Sequence, residues 1–373
     1  MKLSSLLALP ALLLVCSLSV AQEAPAPEAP KGEQVFLTAK WREGDSVRQR
    51  TTVETTTEMD NPMAGKITSK QTMVMVGVET FKSVSDKDVV TTELAYESLK
   101  IKSATSDISM EWDSEKPDEG DMEESQAAFY KAMIKSKYTL TYDPSGKLVG
   151  LKGFDKVLEE SLKDADNPMA KSSLKASFGD QAMMRNFGSN SFYPGKLVAK
   201  GDSWDKTVDF AMPMGMGTLI VKSKYKLDDL EKNKDGQVAK VTGEGTITLE
   251  KKAAKEEKEG EKKEGEKEGE KIEDEPAEEP EMDLTTMFDI SFENGKQTSE
   301  ATLKVESGVT IKAVTRQTFD MKMTMKGEMQ MEMVNKIAST VTVELLPPKA
   351  AEPAKAEGRE SAPPEAPKEG EGK

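Results

Sequence analysis

The chain has 373 residues, of which 32% are charged, a formal net charge of −15 and no histidine. The negative balance opposes nonspecific nucleic-acid binding and favours solubility. The missing imidazole excludes Ser-His-Asp catalysis, His-ligated zinc and histidine acid–base chemistry.

The first residues read as an export signal. Lys2 gives a short positive start, residues 3–15 are almost wholly apolar, and Ser19, Val20 and Ala21 present small, larger, small before Gln22. A signal peptide over 1–21, cleaved after Ala21, is expected, with the mature chain periplasmic or secreted. The alternative is a lipid anchor through Cys16, against which Val15 stands where a lipoprotein signal wants a small residue. No later run reaches the ~18 apolar residues of a transmembrane helix, so no transmembrane span is expected. Cleavage after Ala21 would also remove the only cysteine, leaving no disulfide and no thiol.

Residues 22–33 are rich in Ala, Pro and Glu and are expected to be disordered. The first β-rich half spans 34–120, where the period is two. Val47, Gln49, Thr51, Val53, Thr55 and Thr57 share one strand face; after a turn at Gly65, Thr72, Val74, Val76 and Val78 share another, with Met73 and Met75 opposite. Val90, Leu94 and Tyr96 alternate next, then Ile108, Met110 and Trp112, as in an antiparallel meander. Over 121–191 the pattern changes to a helical layer holding one hairpin. Asp121 and Glu124 start a helix that presents Phe129, Ala132 and Met133; YTLTYDPSGKLVGL forms the hairpin; Phe154, Val157, Leu158, Leu162 and Ala165 lie at helical spacing; and a further helix is expected within 171–187.

Strands return over 192–250, with Leu219, Val221, Tyr225 and Leu227 on one face, followed by Val238, Val241, Ile247 and Leu249. A Lys/Glu/Gly run at 251–282 has no apolar stripe and reads as a solvated linker or insert. The final β-rich part covers 283–346: Leu284, Phe288, Ile290 and Phe292 alternate up to Asn294-Gly295, a hairpin signal, and STVTVELL ends before Pro347-Pro348. Residues 347–373 are a second Ala/Pro/Glu-rich segment, expected to be disordered. EGDSV at 43–47 and KGDSW at 200–204 form a short internal echo, which either marks two related sheet halves or is a common turn. The fold class is therefore mainly β (α+β), with antiparallel sheets in a half-open barrel or two related halves, and a central helical layer.

Candidate chemistry is sparse. Ser172 lies three residues before Lys175 in the expected helix, a pairing that also occurs on solvated helix surfaces. Glu231, Asn233 and Asp235, with Gly236, echo a calcium loop, but its twelfth position is Thr242 instead of the bidentate Glu, and strands flank it, so a hairpin turn competes with weak calcium binding. Methionine is the unusual residue, at 22 copies. Met212, Met214 and Met216 alternate, as do Met321, Met323 and Met325, and then Met329, Met331 and Met333. In strands each group points to one face. Such faces pack a deformable core or line a groove for a lipid-like molecule, for which the first six are the candidates, or give Cu(I) a thioether set, for which Met329, Met331 and Met333 are the weak candidates. Lys322, Thr324, Lys326, Glu328, Gln330 and Glu332 form the opposite polar face.

YDPSGKL at 142–148 and FYPGKLVAKGDSWDKTV at 192–208 resemble uncharacterised secreted or lipoprotein families of bacteria that carry a signal peptide, an Asp-x-x-Gly-Lys hairpin and a Gly-Asp-Ser-Trp lead-in to a β-rich second half. The likeness spans most of 34–346 and implies no established function. More loosely, the organisation resembles half-open β-barrel lipoprotein carriers such as LolA, which implies a sheet wrapped around helices and able to hold acyl chains; the acidic insert and the Met-rich strand depart from that pattern. The resulting expectation is a noncatalytic extracytoplasmic protein, without a cofactor, that binds or carries an apolar molecule. Its alternatives are a structural or interaction partner of an envelope protein and, more remotely, a carboxylate-based hydrolase.

Overall fold

The computed structural model describes residues 33–61, 65–105, 108–122, 124–144, 146–163, 178–187, 193–212, 217–233, 236–251, 288–326 and 331–349. The leader with Cys16, the charged insert apart from Lys251, and the C-terminal tail beyond 349 lie outside these residues, as do Ser172, Lys175, Met214, Met216, Asp235 and Met329.

The protein is mainly β, and its strands are antiparallel. The first meander comprises β2 (Ser46–Asn61), β3 (Gly65–Val84) and β4 (Val90–Ala104), with the short β5 (Ser109–Asp113) paired to one part of β4. After α1 (Glu124–Lys135), the hairpin β6 (Lys137–Tyr142) and β7 (Leu148–Lys152) adds to the other part of β4, and α2 (Phe154–Ser161) and α3 (Asp180–Phe187) follow. The second meander runs through β9 (Ser203–Ala211), β10 (Thr218–Asn233), β11 (Gly236–Glu250), β12 (Phe288–Lys304), β13 (Thr310–Met325) and β14 (Glu332–Leu345). The two meanders join where β14 pairs with β2, so the strands run β7-β6-β4-β3-β2-β14-β13-β12-β11-β10-β9 in a single sheet. A separate two-stranded ribbon, β1 (Gln34–Phe36) with β8 (Leu197–Ala199), lies against the second meander and adds Val35 and Val198 to its core.

The sheet is not closed into a barrel, yet α3 touches both of its edge strands, β7 and β9. That helix spans the gap between the edges, which makes the inner face concave. One cross-strand row runs across the sheet: Trp204, Tyr225, Gly243, Ser299, Thr315, Val341, Val53, Met73, Ile101 and Trp112 lie opposite one another in ten successive strands. Trp112 and Ile101 are fully buried, and Trp204 is nearly so. Removing side chains of this size from water is worth about 1.5–3 kcal/mol each.

The inner face carries two apolar cores. Trp204, Tyr225, Leu227, Ile247, Leu303 and Phe319 anchor the one in the second meander. Met73, Leu99, Trp112, Tyr138, Phe154 and Val157 anchor the other, which the helices cover. The helical spacing of Phe154, Val157 and Leu158 buries all three, and the first two join this core. Gly153 offers α2 no side-chain cap. Asp180 supplies one from α3: its Oδ1 accepts the backbone N–H groups of Phe154 (2.7 Å) and Asp155 (3.2 Å), while Asp155 Oδ1 accepts the N–H of Asp180 (3.1 Å). Two short helices thus cap each other.

The echo of Gly-Asp-Ser has a structural counterpart. Gly44 and Gly201 both take positive φ, 85° and 94°. Asp45 Oδ2 accepts the N–H of Arg42 and Asp202 Oδ2 that of Ala199, while each aspartate N–H returns to the same residue's carbonyl. The same turn therefore leads into the first strand of each meander.

Asn294-Gly295 differs from its expectation. The pair lies inside the continuous β12, at a bulge where the register to β13 shifts between Glu293 and Lys296. Asn294 takes φ 54°, and its side-chain amide donates to Asp320 at 2.8 Å. A β-carbon at Gly295 would lie 2.1 Å from the Ile247 carbonyl oxygen, so the neighbouring backbone leaves room only for glycine. The sequence signal was a local left-handed turn, which serves a bulge as well as a hairpin.

Candidate functional site

The inner face changes character along the strands. One step from the central row lies a polar belt: Lys206, Ser223, Gly245, Gln297, Gln317, Ser339, Thr55 and Gln71 in register. Gln317 donates to Gln297 Oε1 at 2.7 Å, and Gln297 donates to Ser223 Oγ at 3.1 Å across β11. Glycine at 245 permits that reach, because a β-carbon there would lie 2.6 Å from Ser223 Oγ. Thr55 and Ser339 hydroxyls pair at 3.3 Å. Gln317 Oε1 has no partner among the described residues. Lys206 lies on the same face as Trp204 and Val208, without an ion pair among the described residues, and burial holds its ammonium below the usual lysine range.

Beyond Phe319 and Ile337 the face becomes methionine-rich. Met321 stands between Phe292 and Asn335, and Asn335 stands opposite Met59. Met323 faces Ile290 on one side and Met333 on the other, and the Met325 N–H donates to the Met331 carbonyl at 2.9 Å. Met321, Met323, Met325, Met331 and Met333 are all half-buried. Met321 and Met212 pack against the core of the second meander. In the sequence Met321–Met325 and Met331–Met333 form separate groups; the β13–β14 register brings them onto one apolar face at the rim. The opposite face is less open than expected, since Lys322 and Thr324 are half-buried, whereas Lys326 and Glu332 are exposed. Asn335 is 2% exposed and its Oδ1 has no partner among the described residues, so a polar atom lies beneath the methionines.

The calcium-like stretch closes a tight hairpin. Asn233 pairs with Gly236 across the β10–β11 turn, and the Glu231 carboxylate accepts from Lys240. Among the described residues no three His, Cys, Asp or Glu side chains come together to hold a metal ion.

Near the other end of the first meander lies a group that alternation did not flag. Glu79, on the inner face of β3, accepts from Thr92 Oγ1 at 2.6 Å and Tyr142 OH at 2.9 Å through one carboxylate oxygen. Burial pushes its carboxyl above the ordinary range, against the pull of those two hydrogen bonds. Burial and the nearby carboxyl also raise the Tyr96 and Tyr193 phenols. The available signal was an acid at an inward strand position, in line with Met73 and Met75.

The family model of DUF6263, a family of unknown function, matches residues 87–274, and the chain belongs to that family. No curated protein matches it in sequence. Among solved structures, the chain is similar to a lipovitellin structure described by its lipid–protein interactions, with 8% identity and a TM-score of 0.39 over 84% of this chain and 27% of that one. It thus spans about a quarter of lipovitellin. It is also similar to OccK5 (OpdH) of Pseudomonas aeruginosa, with 8% identity and a TM-score of 0.22 over 81% and 98% of the two chains. No helix among the described residues is long and apolar enough to cross a membrane.

Proposed function

We propose that this protein is a noncatalytic, extracytoplasmic binder or carrier of an apolar, lipid-like molecule, which lies on the methionine face of β13 and β14. The observation that carries this reading is the joining of Met321, Met323, Met325, Met331 and Met333 on one half-buried face that continues the packed core. Thioether side chains are unbranched and polarizable, so they adapt to an irregular aliphatic surface. From Met321 to Met325 the strand advances about 13 Å, close to the ~15 Å occupied by the chains of one bilayer leaflet. The extracytoplasmic setting rests on the leader sequence. Native mass spectrometry of protein purified from its host envelope, followed by lipid extraction, tests the proposal: a retained acyl species is expected. Repeated recovery of bare protein that also fails to bind acyl probes would overturn it.

A further inference from the structure

Glu79 is a half-buried acid with no base beside it among the described residues. Its Oε1 already accepts two hydroxyl hydrogen bonds, from Thr92 and Tyr142. No lysine or arginine among the described residues pairs with the carboxylate, and none contributes to its electrostatic surroundings. Its second oxygen has no hydrogen bond among those residues. Ionised, the group lacks a counter-charge; protonated on Oε2, it lacks an acceptor. Both states leave it short of a partner inside the protein.

Tyrosines from separate elements lie near this carboxylate. Tyr96 of β4 stands opposite Gly77, and its Cδ1 and Cε1 lie 3.6 and 3.7 Å from where a Gly77 β-carbon would be, so the absent side chain makes room for the ring next to Glu79. Tyr142 of β6 touches the carboxylate itself. Tyr193, ahead of β8, is fixed by its hydroxyl to the Gly308 carbonyl at 2.7 Å. Glu79 and all three tyrosines are half-buried, so part of each side chain stays open to solvent.

We propose that Glu79, Tyr96, Tyr142 and Tyr193 form a binding site for an organic ammonium group. A carboxylate supplies the counter-charge, and ring quadrupoles attract a weakly hydrated cation at short range. A divalent metal fits poorly, because hard cations take six or more oxygen ligands and this site offers one carboxylate. The site is separate from the methionine rim: Ile67, opposite Met59, and Glu79 are about 40 Å apart along β3.

The test is calorimetric titration of the full chain with tetramethylammonium chloride, against sodium and potassium chloride at equal ionic strength. Saturable binding of tetramethylammonium alone is expected. Glu79→Gln keeps an oxygen for Thr92 and Tyr142 while removing the charge, and should weaken binding by about tenfold or more. Tyr193→Phe keeps the ring and should bind within about twofold of the parent, whereas Tyr193→Ala should lose binding. The Tyr193 pair still decides the matter if Glu79→Gln fails to fold. Absence of saturable binding by the folded parent, equal response to potassium, unchanged affinity in folded Glu79→Gln, or equal affinity in Tyr193→Ala and Tyr193→Phe would each overturn the site.

Discussion

Replacing both Met323 and Met333 with glutamine changes the chemistry of the rim while nearly preserving side-chain length. The two residues stand directly opposite each other on β13 and β14 and are half-buried. Complete burial of a methionine side chain is worth about 1.5–3 kcal/mol. A ligand can cover only the exposed part, at most about a third of each, or about 0.5–1 kcal/mol for each residue. The pair therefore accounts for about 1–2 kcal/mol, or a loss of affinity of about 5- to 30-fold, for an acyl probe. The fold should also lose some stability, because most of each side chain is buried against the protein itself. Titration with a fluorescent fatty acid, alongside urea denaturation of the same preparations, separates the two effects. An affinity within about twofold of the parent in a folded double variant would refute the assignment of the ligand to this face.

Three further outcomes are expected. Gly243→Ala would place a β-carbon 2.5 Å from two ring carbons of Tyr225, whose ring is buried and stacked against Trp204, and should cost about 1–3 kcal/mol in urea denaturation; combining it with Tyr225→Leu should recover part of that cost. Asp180→Ala removes the oxygen that caps α2 and should lower stability by about 1–2 kcal/mol, whereas Asp180→Asn, which keeps a carbonyl, should lose less; thermal denaturation of the two variants checks this. Glu79, faced by Tyr96, Tyr142 and Tyr193, has a folded pKa above its usual 4.5. Between those two values the folded chain holds more protons than the unfolded one, so this group's contribution is full at low pH and is lost as pH rises. Glu79→Gln should therefore gain stability relative to the parent between pH 4 and pH 8, and a constant difference across that range would contradict the assignment.

Alternation made much of the sheet legible. The face of Val47 to Thr57 and that of Leu219 to Leu227 correspond to β2 and β10, because period two survives wherever one face is packed and the other wet. In β3 the valine run is the less informative side; Met73 and Met75 point inward and Met73 is 2% exposed. β4 escapes a simple parity because the register shift between Val76 and Gly77 sets Tyr96 and Leu99 on the same face. Neither the polar belt nor the Glu79 site could be read from one strand at a time. Gln297, Gln317 and Ser339 come from three strands, and Glu79, Thr92 and Tyr142 from three others. The methionine groups were visible locally, but their union depended on the β13–β14 register.

The pairing of β14 with β2 sets an order on assembly. Thr55 and Ser339, whose hydroxyls meet there, are 284 positions apart in sequence. Each meander can form from near neighbours, yet each then presents a long unpaired edge at what will become the middle of the sheet. Closing that seam carries a large loop-closure entropy and is expected to come late, leaving both edges open to foreign strands until then. Two separately produced chains divided between α3 and β8 would bring the same edges to each other, so the seam that slows the intact protein also provides a natural point of fragment complementation.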